Sequence, residues 1–139
     1  MATGAETAVR EIMTGSPVTL KPEDTLDVAS EIMSQGRIRH IPVVEGGRLI
    51  GMISQHDLLG ATATSILGLK EKSKSELLKK YRIRDVMRKS IATVPPGTAV
   101  KEVAHLMAEK RIGCLPVVDN GIVVGLVTRT DLLRYMESL

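Results

Sequence analysis

Two short stretches carry side chains whose type and spacing suit binding chemistry. Ser54-Gln55-His56-Asp57 and Thr128-Arg129-Thr130-Asp131 each place a hydroxyl three residues ahead of a carboxylate. If a strand ends and a helix begins at Ser54 or Thr128, the hydroxyl and the first free N–H groups of that helix can hold a phosphate. The carboxylates of Asp57 and Asp131, acceptors only when ionised, suit paired hydrogen bonds from the two hydroxyls of a ribose. The same S/T-x-x-D spacing is also an ordinary capping box, in which the acid folds back onto its own cap. The residues alone leave both readings open.

Other chemistry finds little support. Neither G-x-x-x-x-G-K-[ST] nor G-x-G-x-x-G occurs, so phosphate binding cannot rest on those loops. One cysteine, Cys114, and three histidines, His40, His56 and His105, show no zinc spacing, although His40 and His56 with Asp57 could converge on one cation. Cys114 has no evident histidine partner in sequence and reads as a small buried residue rather than a nucleophile. With no paired acid and base either, neither an enzyme nor a bound metal is expected.

The elements that must position these residues are written twice. Residues 9–59 superpose without a gap on residues 83–133, a shift of 74. Thr19 falls on Thr93, Pro22 on Pro96, Met33 on Met107, Arg37-Ile38 on Arg111-Ile112 and Pro42-Val43-Val44 on Pro116-Val117-Val118. Gly47 falls on Gly121, Gly51 on Gly125 and Asp57-Leu58-Leu59 on Asp131-Leu132-Leu133. Such self-similarity marks two copies of one supersecondary unit.

Each copy spells β-α-β-β-α. A short strand, 17–20 or 91–94, is closed by Pro22 or Pro96. Asp24 and Thr98 are suitable N-caps for a helix whose Leu26, Ala29 and Met33, or Val100, Val103, Ala104 and Met107, recur at helical spacing. Strands 40–44 and 48–54 flank Glu45-Gly46-Gly47, and strands 114–118 and 122–128 flank Asp119-Asn120-Gly121. Both turns tolerate the positive φ of a tight hairpin. A second helix starts near Gln55 or Arg129. About 50 residues cannot bury such faces alone, so an α+β fold with the two copies packed sheet to sheet is expected.

Residues 1–69 are read as the first copy with its N-terminal segment, 70–82 as a charged, solvated linker rich in lysine, and 83–139 as the second copy. That linker could instead dock an acidic partner or nucleic acid.

Composition limits the rest. Apolar residues are 43% and charged residues 25% of the 139, ordinary for a chain that folds. With no Trp, no Phe and only Tyr81 and Tyr135, a planar ligand would meet aliphatic walls. The net charge of +3 and pI near 9.2 are spread along the chain, unlike the concentrated charge of a nucleic-acid binder. A single cysteine and no apolar stretch of secretion-signal length in residues 1–10 favour the cytoplasm. No apolar run approaches a membrane span.

The doubled pattern R-I-x-x-h-P-V-V, turn, G-h-h-[ST]-x-x-D-L-L, where h is apolar, resembles the CBS motif, and a tandem pair resembles the Bateman module. The match covers residues 37–44 with 51–59 and 111–118 with 125–133. The resemblance implies pairing about a pseudo-twofold axis, with two clefts that bind adenosyl ligands: AMP, ADP or ATP foremost, S-adenosylmethionine in some members. It implies further a homodimer, a regulated protein partner that the sequence does not name, and no required cofactor.

On that resemblance Ser54, His56, Asp57, Thr128, Arg129 and Asp131 join a nucleotide site. Val18-Thr19, Ala92-Thr93, Ile41-Pro42 and Leu115-Pro116 supply apolar walls and main-chain groups for the purine. Basic side chains often precede the proline in the family. Here Arg39-His40 keep that charge, Gly113-Cys114 lack it, and Arg129 could compensate, so the two sites are expected to differ. A ligand-independent interaction scaffold, and nucleic-acid binding through the basic linker, are the alternatives.

Overall fold

The computed structural model describes residues 7–63 and 76–139. Its elements are β1 (Thr14–Gly15), α1 (Leu26–Gly36), β2 (His40–Glu45), β3 (Arg48–Ser54), α2 (Gln55–Ala63), the single turn α3 (Ile83–Val86), α4 (Val100–Lys110), β4 (Cys114–Asp119), β5 (Ile122–Thr128) and α5 (Arg129–Glu137). Helices and antiparallel strands mix as the repeat requires, an α+β arrangement. Among the described residues no helix is long and apolar enough to cross a membrane.

Contacts divide the chain into two compact units, and the division does not follow the order of the sequence. One unit spans residues 18–91. The other joins residues up to Pro17 to residues 92–139. The leading residues of each copy therefore pack into the unit of the other copy.

The exchanged segments repeat each other bond for bond. In the first copy's unit, Ile83 N–H donates to Asp24 O (2.8 Å), Arg84 N–H to Pro22 O (3.1 Å), and Leu26 N–H to Tyr81 O (3.0 Å). In the second copy's unit, Val9 N–H donates to Thr98 O (2.7 Å), Arg10 N–H to Pro96 O (3.2 Å), and Val100 N–H to Thr7 O (2.8 Å). Ile83 and Val9 are fully buried in the two cores. Each segment also seats a methionine over a glycine. A Cβ on Gly51 would lie 3.0 Å from Met87 Cγ, and one on Gly125 would lie 2.9 Å from Met13 Cγ. These contacts, rather than any turn, explain the two glycines in the strands.

The hairpins form where expected, with the first strand of each one residue longer, to Glu45 and Asp119. Glu45 pairs with Arg48 and Asp119 with Ile122, leaving Gly46-Gly47 and Asn120-Gly121 as two-residue turns with φ between 52° and 86°. Each hairpin also carries a bulge, at Val43/Val44 and Val117/Val118. Nothing in the hydrophobic pattern announces it.

Three local expectations are corrected. The strands at 17–20 and 91–94 contract to single parallel bridges, Leu20 to Val43 and Val94 to Val117, because only those residues reach the main chain of the neighbouring strand. The N-caps are Thr25 and Ala99, one residue later than expected, and neither makes a side-chain cap bond. Asp24 instead accepts from Lys21 N–H (2.8 Å), holding the turn before the helix. Finally, Leu26, Ala29, Met33, Val100, Val103 and Met107 are buried, but Ala104 is exposed.

Both helices end on an arginine in the left-handed region, Arg37 at φ 54° and Arg111 at φ 56°. The next N–H, of Ile38 or Ile112, returns to Met33 O or Met107 O, the closing bond usually set by glycine. Of the charged stretch, residues 70–75 lie outside the described residues. Beyond it, Leu78 is buried in the core with Leu20, Leu26 and Ile83, so that part is anchored rather than wholly solvated.

Candidate functional site

Each unit holds its own set of candidate residues. In both, a strand passes directly into a helix, β3 into α2 at Ser54 and β5 into α5 at Thr128. Ser54 N–H donates to Asp57 Oδ2 (2.8 Å), and Asp57 N–H donates to Ser54 Oγ (3.1 Å). Thr128 N–H donates to Asp131 Oδ2 (2.8 Å), and Asp131 N–H to Thr128 Oγ1 (3.4 Å). The capping box is thus formed twice. Because the cap uses mainly one oxygen of each acid, a second oxygen stays available for another donor.

The two acids differ in what that second oxygen meets. Asp57 Oδ1 accepts from Arg88 Nε at 3.1 Å, with the Asp57 side chain 10% exposed and that of Arg88 65% exposed. Among the described residues no ion pair reaches Asp131. Arg88 sits on the strand edge through its main chain, exchanging two 2.9 Å bonds with Met52. Its counterpart in the repeat, Thr14, pairs with Leu126 in the same register.

The basic positions also divide between the copies. Gln55 N–H donates to Arg39 O (2.8 Å), and Arg129 N–H donates to Gly113 O (3.2 Å), so residues 39 and 55 are joined in the same way as 113 and 129. One partner of each pair is an arginine. Arg39 is exposed beside Gln55, whereas the Arg129 guanidinium lies over Gly113, where a Cβ would come within 3.1 Å of its Cζ. Glycine at 113 gives that guanidinium its room.

His40 lies opposite Ser54 in the ladder and Cys114 opposite Thr128. His40 is half-buried and His56 exposed. Burial, and secondarily the nearby Asp131 charge, pushes the Cys114 thiol up to about 12 from an ordinary 9.0. A thiol so placed stays protonated and inert. His40, His56 and Asp57 do not converge on a cation position. Among the described residues no group of three or more His, Cys, Asp or Glu could hold a metal ion.

The expected purine walls are of two kinds. Val18, Thr19 and Thr93 are exposed and Ala92 half-buried, open to a ligand. Ile41, Pro42, Leu115 and Pro116 are fully buried, so their side chains serve the core. Pro42 O and Pro116 O are already used by Leu20 N–H (3.0 Å) and Val94 N–H (3.2 Å). A surface depression of about 320 Å³ lies along α5, lined by Thr130, Leu133, Arg134, Met136 and Glu137, and holds none of the candidate residues.

Arg88 escaped the reading of the sequence. It is 31 residues from Asp57, and its repeat counterpart is a threonine, so the internal comparison carries no trace of it.

Residues 9–64 and 83–138 each match the family model described as the CBS domain. A CBS domain-containing protein of Dictyostelium discoideum is 35% identical over 130 residues, covering 92% of this chain and 90% of the relative. Two further relatives, enzymes by name, are longer, and the chain spans 25% and 22% of their lengths. Among solved structures, CBSX2 in complex with AMP is similar at TM-score 0.80 and 27% identity, covering 94% of this chain and 97% of that one. The CBS domain pair of protein MJ0100 with 5′-methylthioadenosine and S-adenosyl-L-methionine is similar at TM-score 0.78 and 27% identity, covering 95% and 97%.

Proposed function

Because this chain belongs to the CBS-domain family, we propose that it is a regulatory module, not an enzyme, which binds an adenosyl ligand at its strand-to-helix junctions and passes the binding on as a conformational change. AMP, ADP and ATP are the leading ligands, and S-adenosylmethionine is the next. The observation that carries this reading is the duplicated junction. Each unit sets a capping acid whose cap leaves one oxygen over, a helix N-terminus and one arginine of the 39/55 or 113/129 pair on contiguous chain. Asp57 and Asp131 accept the ribose hydroxyls, and Arg39 or Arg129 meets phosphate. The AMP held by CBSX2 and the adenosyl ligands held by the MJ0100 pair support it. Free, buried Cys114 suits a reducing setting, the cytoplasm.

Thermal unfolding with AMP, ADP, ATP and S-adenosylmethionine tests it. A ligand at a hundredfold over its Kd stabilises by about 2.7 kcal/mol, and Asp57→Ala with Asp131→Ala together abolish the gain. No shift with any of the four ligands would reject the reading. Protein that co-purifies with nucleotide should also absorb near 260 nm, since two tyrosines add little there.

A second copy of the chain is the proposed partner. Leu59 on α2 and Leu133 and Met136 on α5 are exposed at 55%, 65% and 66%, apolar surface that association would cover. Leu133→Glu should reduce the mass seen by light scattering. A monomeric wild type would refute self-association.

A further inference from the structure

We propose that the Arg88–Asp57 ion pair latches the first site, so that ligand fills the Asp131 site first and reaches Asp57 only by displacing Arg88. The proposal rests on the adenosyl reading above, since it concerns which carboxylate a ribose finds unoccupied. A ribose diol needs at least the oxygen that the cap leaves open. In the first copy Oδ2 already accepts Ser54 N–H at 2.8 Å and Oδ1 accepts Arg88 Nε at 3.1 Å, leaving the carboxylate 10% exposed beneath the guanidinium. In the second copy Oδ2 accepts both the N–H (2.8 Å) and the hydroxyl (3.1 Å) of Thr128, the other oxygen meets no ion pair among the described residues, and the position of Arg88 is held by Thr14, a neutral side chain.

The latch is built to open. Arg88 is held in place by main-chain bonds to Met52 that do not involve its side chain, and that side chain is 65% exposed. Ligand arrival therefore frees a guanidinium without unpairing the strand edge. A single ion pair whose cation is largely exposed to solvent holds weakly, so the penalty on first-site affinity is about threefold to fivefold.

The methionines separate the sites. Met52 and Met87 lie in the unit of Asp57, and Met13 lies in the unit of Asp131. In protein labelled with 13C at the methionine methyls and titrated with AMP, the Met13 signal should move at lower AMP than those of Met52 and Met87. Arg88→Thr, which installs the second copy's residue, should lower the Met52 and Met87 midpoint about threefold to fivefold and leave the Met13 midpoint in place. Equal midpoints in the wild type, or an unchanged midpoint in Arg88→Thr, overturn the latch. So does a raised midpoint, which would make Arg88 a ligand contact. If no methyl moves in either protein with AMP, ATP or S-adenosylmethionine, the adenosyl reading itself fails and the latch falls with it.

Discussion

Set beside each other, the two copies agree wherever the chain must turn, cap or pack and disagree around the candidate ligand. Gly51 and Gly125 both lie under a methionine, Ile41 and Leu115 both fill the core, and Asp57 and Asp131 both close a capping box. Against that shared frame stand Arg39 against Gly113, His40 against Cys114, Gln55 against Arg129, and Arg88 against Thr14. The first copy keeps an exposed arginine and a masked acid. The second lays its arginine over a glycine and leaves its acid without an ion pair among the described residues. The two copies keep what each fold unit needs and differ in the surroundings of the acid, so one repeated frame carries two differently furnished junctions.

The largest contrast to test is at Cys114 and His40. The raised pKa cuts the thiolate fraction about a thousandfold relative to an ordinary thiol at the same pH. Ellman's reagent should therefore label native protein far more slowly than unfolded protein at pH 8. The folded form holds its proton more tightly, so this group leaves stability unchanged below about pH 9, and stability falls as pH rises from there toward about 12. Cys114→Ala should flatten that alkaline limb, and fast native labelling would contradict the burial.

The exchanged segments come next. Ile83→Ala should cost about 2–5 kcal/mol, with Val9→Ala costing less because fewer methyl groups are lost. Hydrogen exchange should rise in residues 18–63 for the first and in 92–139 for the second. Loosening of the first copy by Val9→Ala would break the reciprocal arrangement. Gly51→Ala and Gly125→Ala should each cost about 1–3 kcal/mol by overpacking, the former more, because Arg88 O also stands 3.0 Å from the added carbon. Equal urea midpoints for the two variants would argue that only the methionines resist. The smallest effect is a gain: Arg37→Gly and Arg111→Gly relieve a left-handed arginine and should each stabilise by up to about 1 kcal/mol. A loss at only one of them would reveal a bond made by that guanidinium.

Much of this was legible because it is local. Hairpin turns need positive φ over two residues, and Gly46-Gly47 and Asn120-Gly121 advertise it. Capping needs a hydroxyl and an acid three apart, and Ser54 to Asp57 shows it. Ala104 misled because helical spacing alone does not say how wide the covered face is. The strands at 17–20 and 91–94 misled because apolar β-branched composition does not guarantee a continuous partner. Arg88 and the methionines Met13 and Met87 were illegible for another reason: their partners lie tens of residues away, and no spacing rule links them.

By itself, then, the sequence determined the doubled plan of helix, hairpin and helix, its family and the two capping acids, all properties of short chain segments repeated in register. Only the tertiary structure decided which unit each leading segment joins, why Gly51 and Gly125 are glycine, and that Arg88 covers Asp57 while Asp131 has no counterpart of that cation. Those outcomes depend on which distant surfaces meet, and packing between segments remote in the chain leaves no periodicity to read.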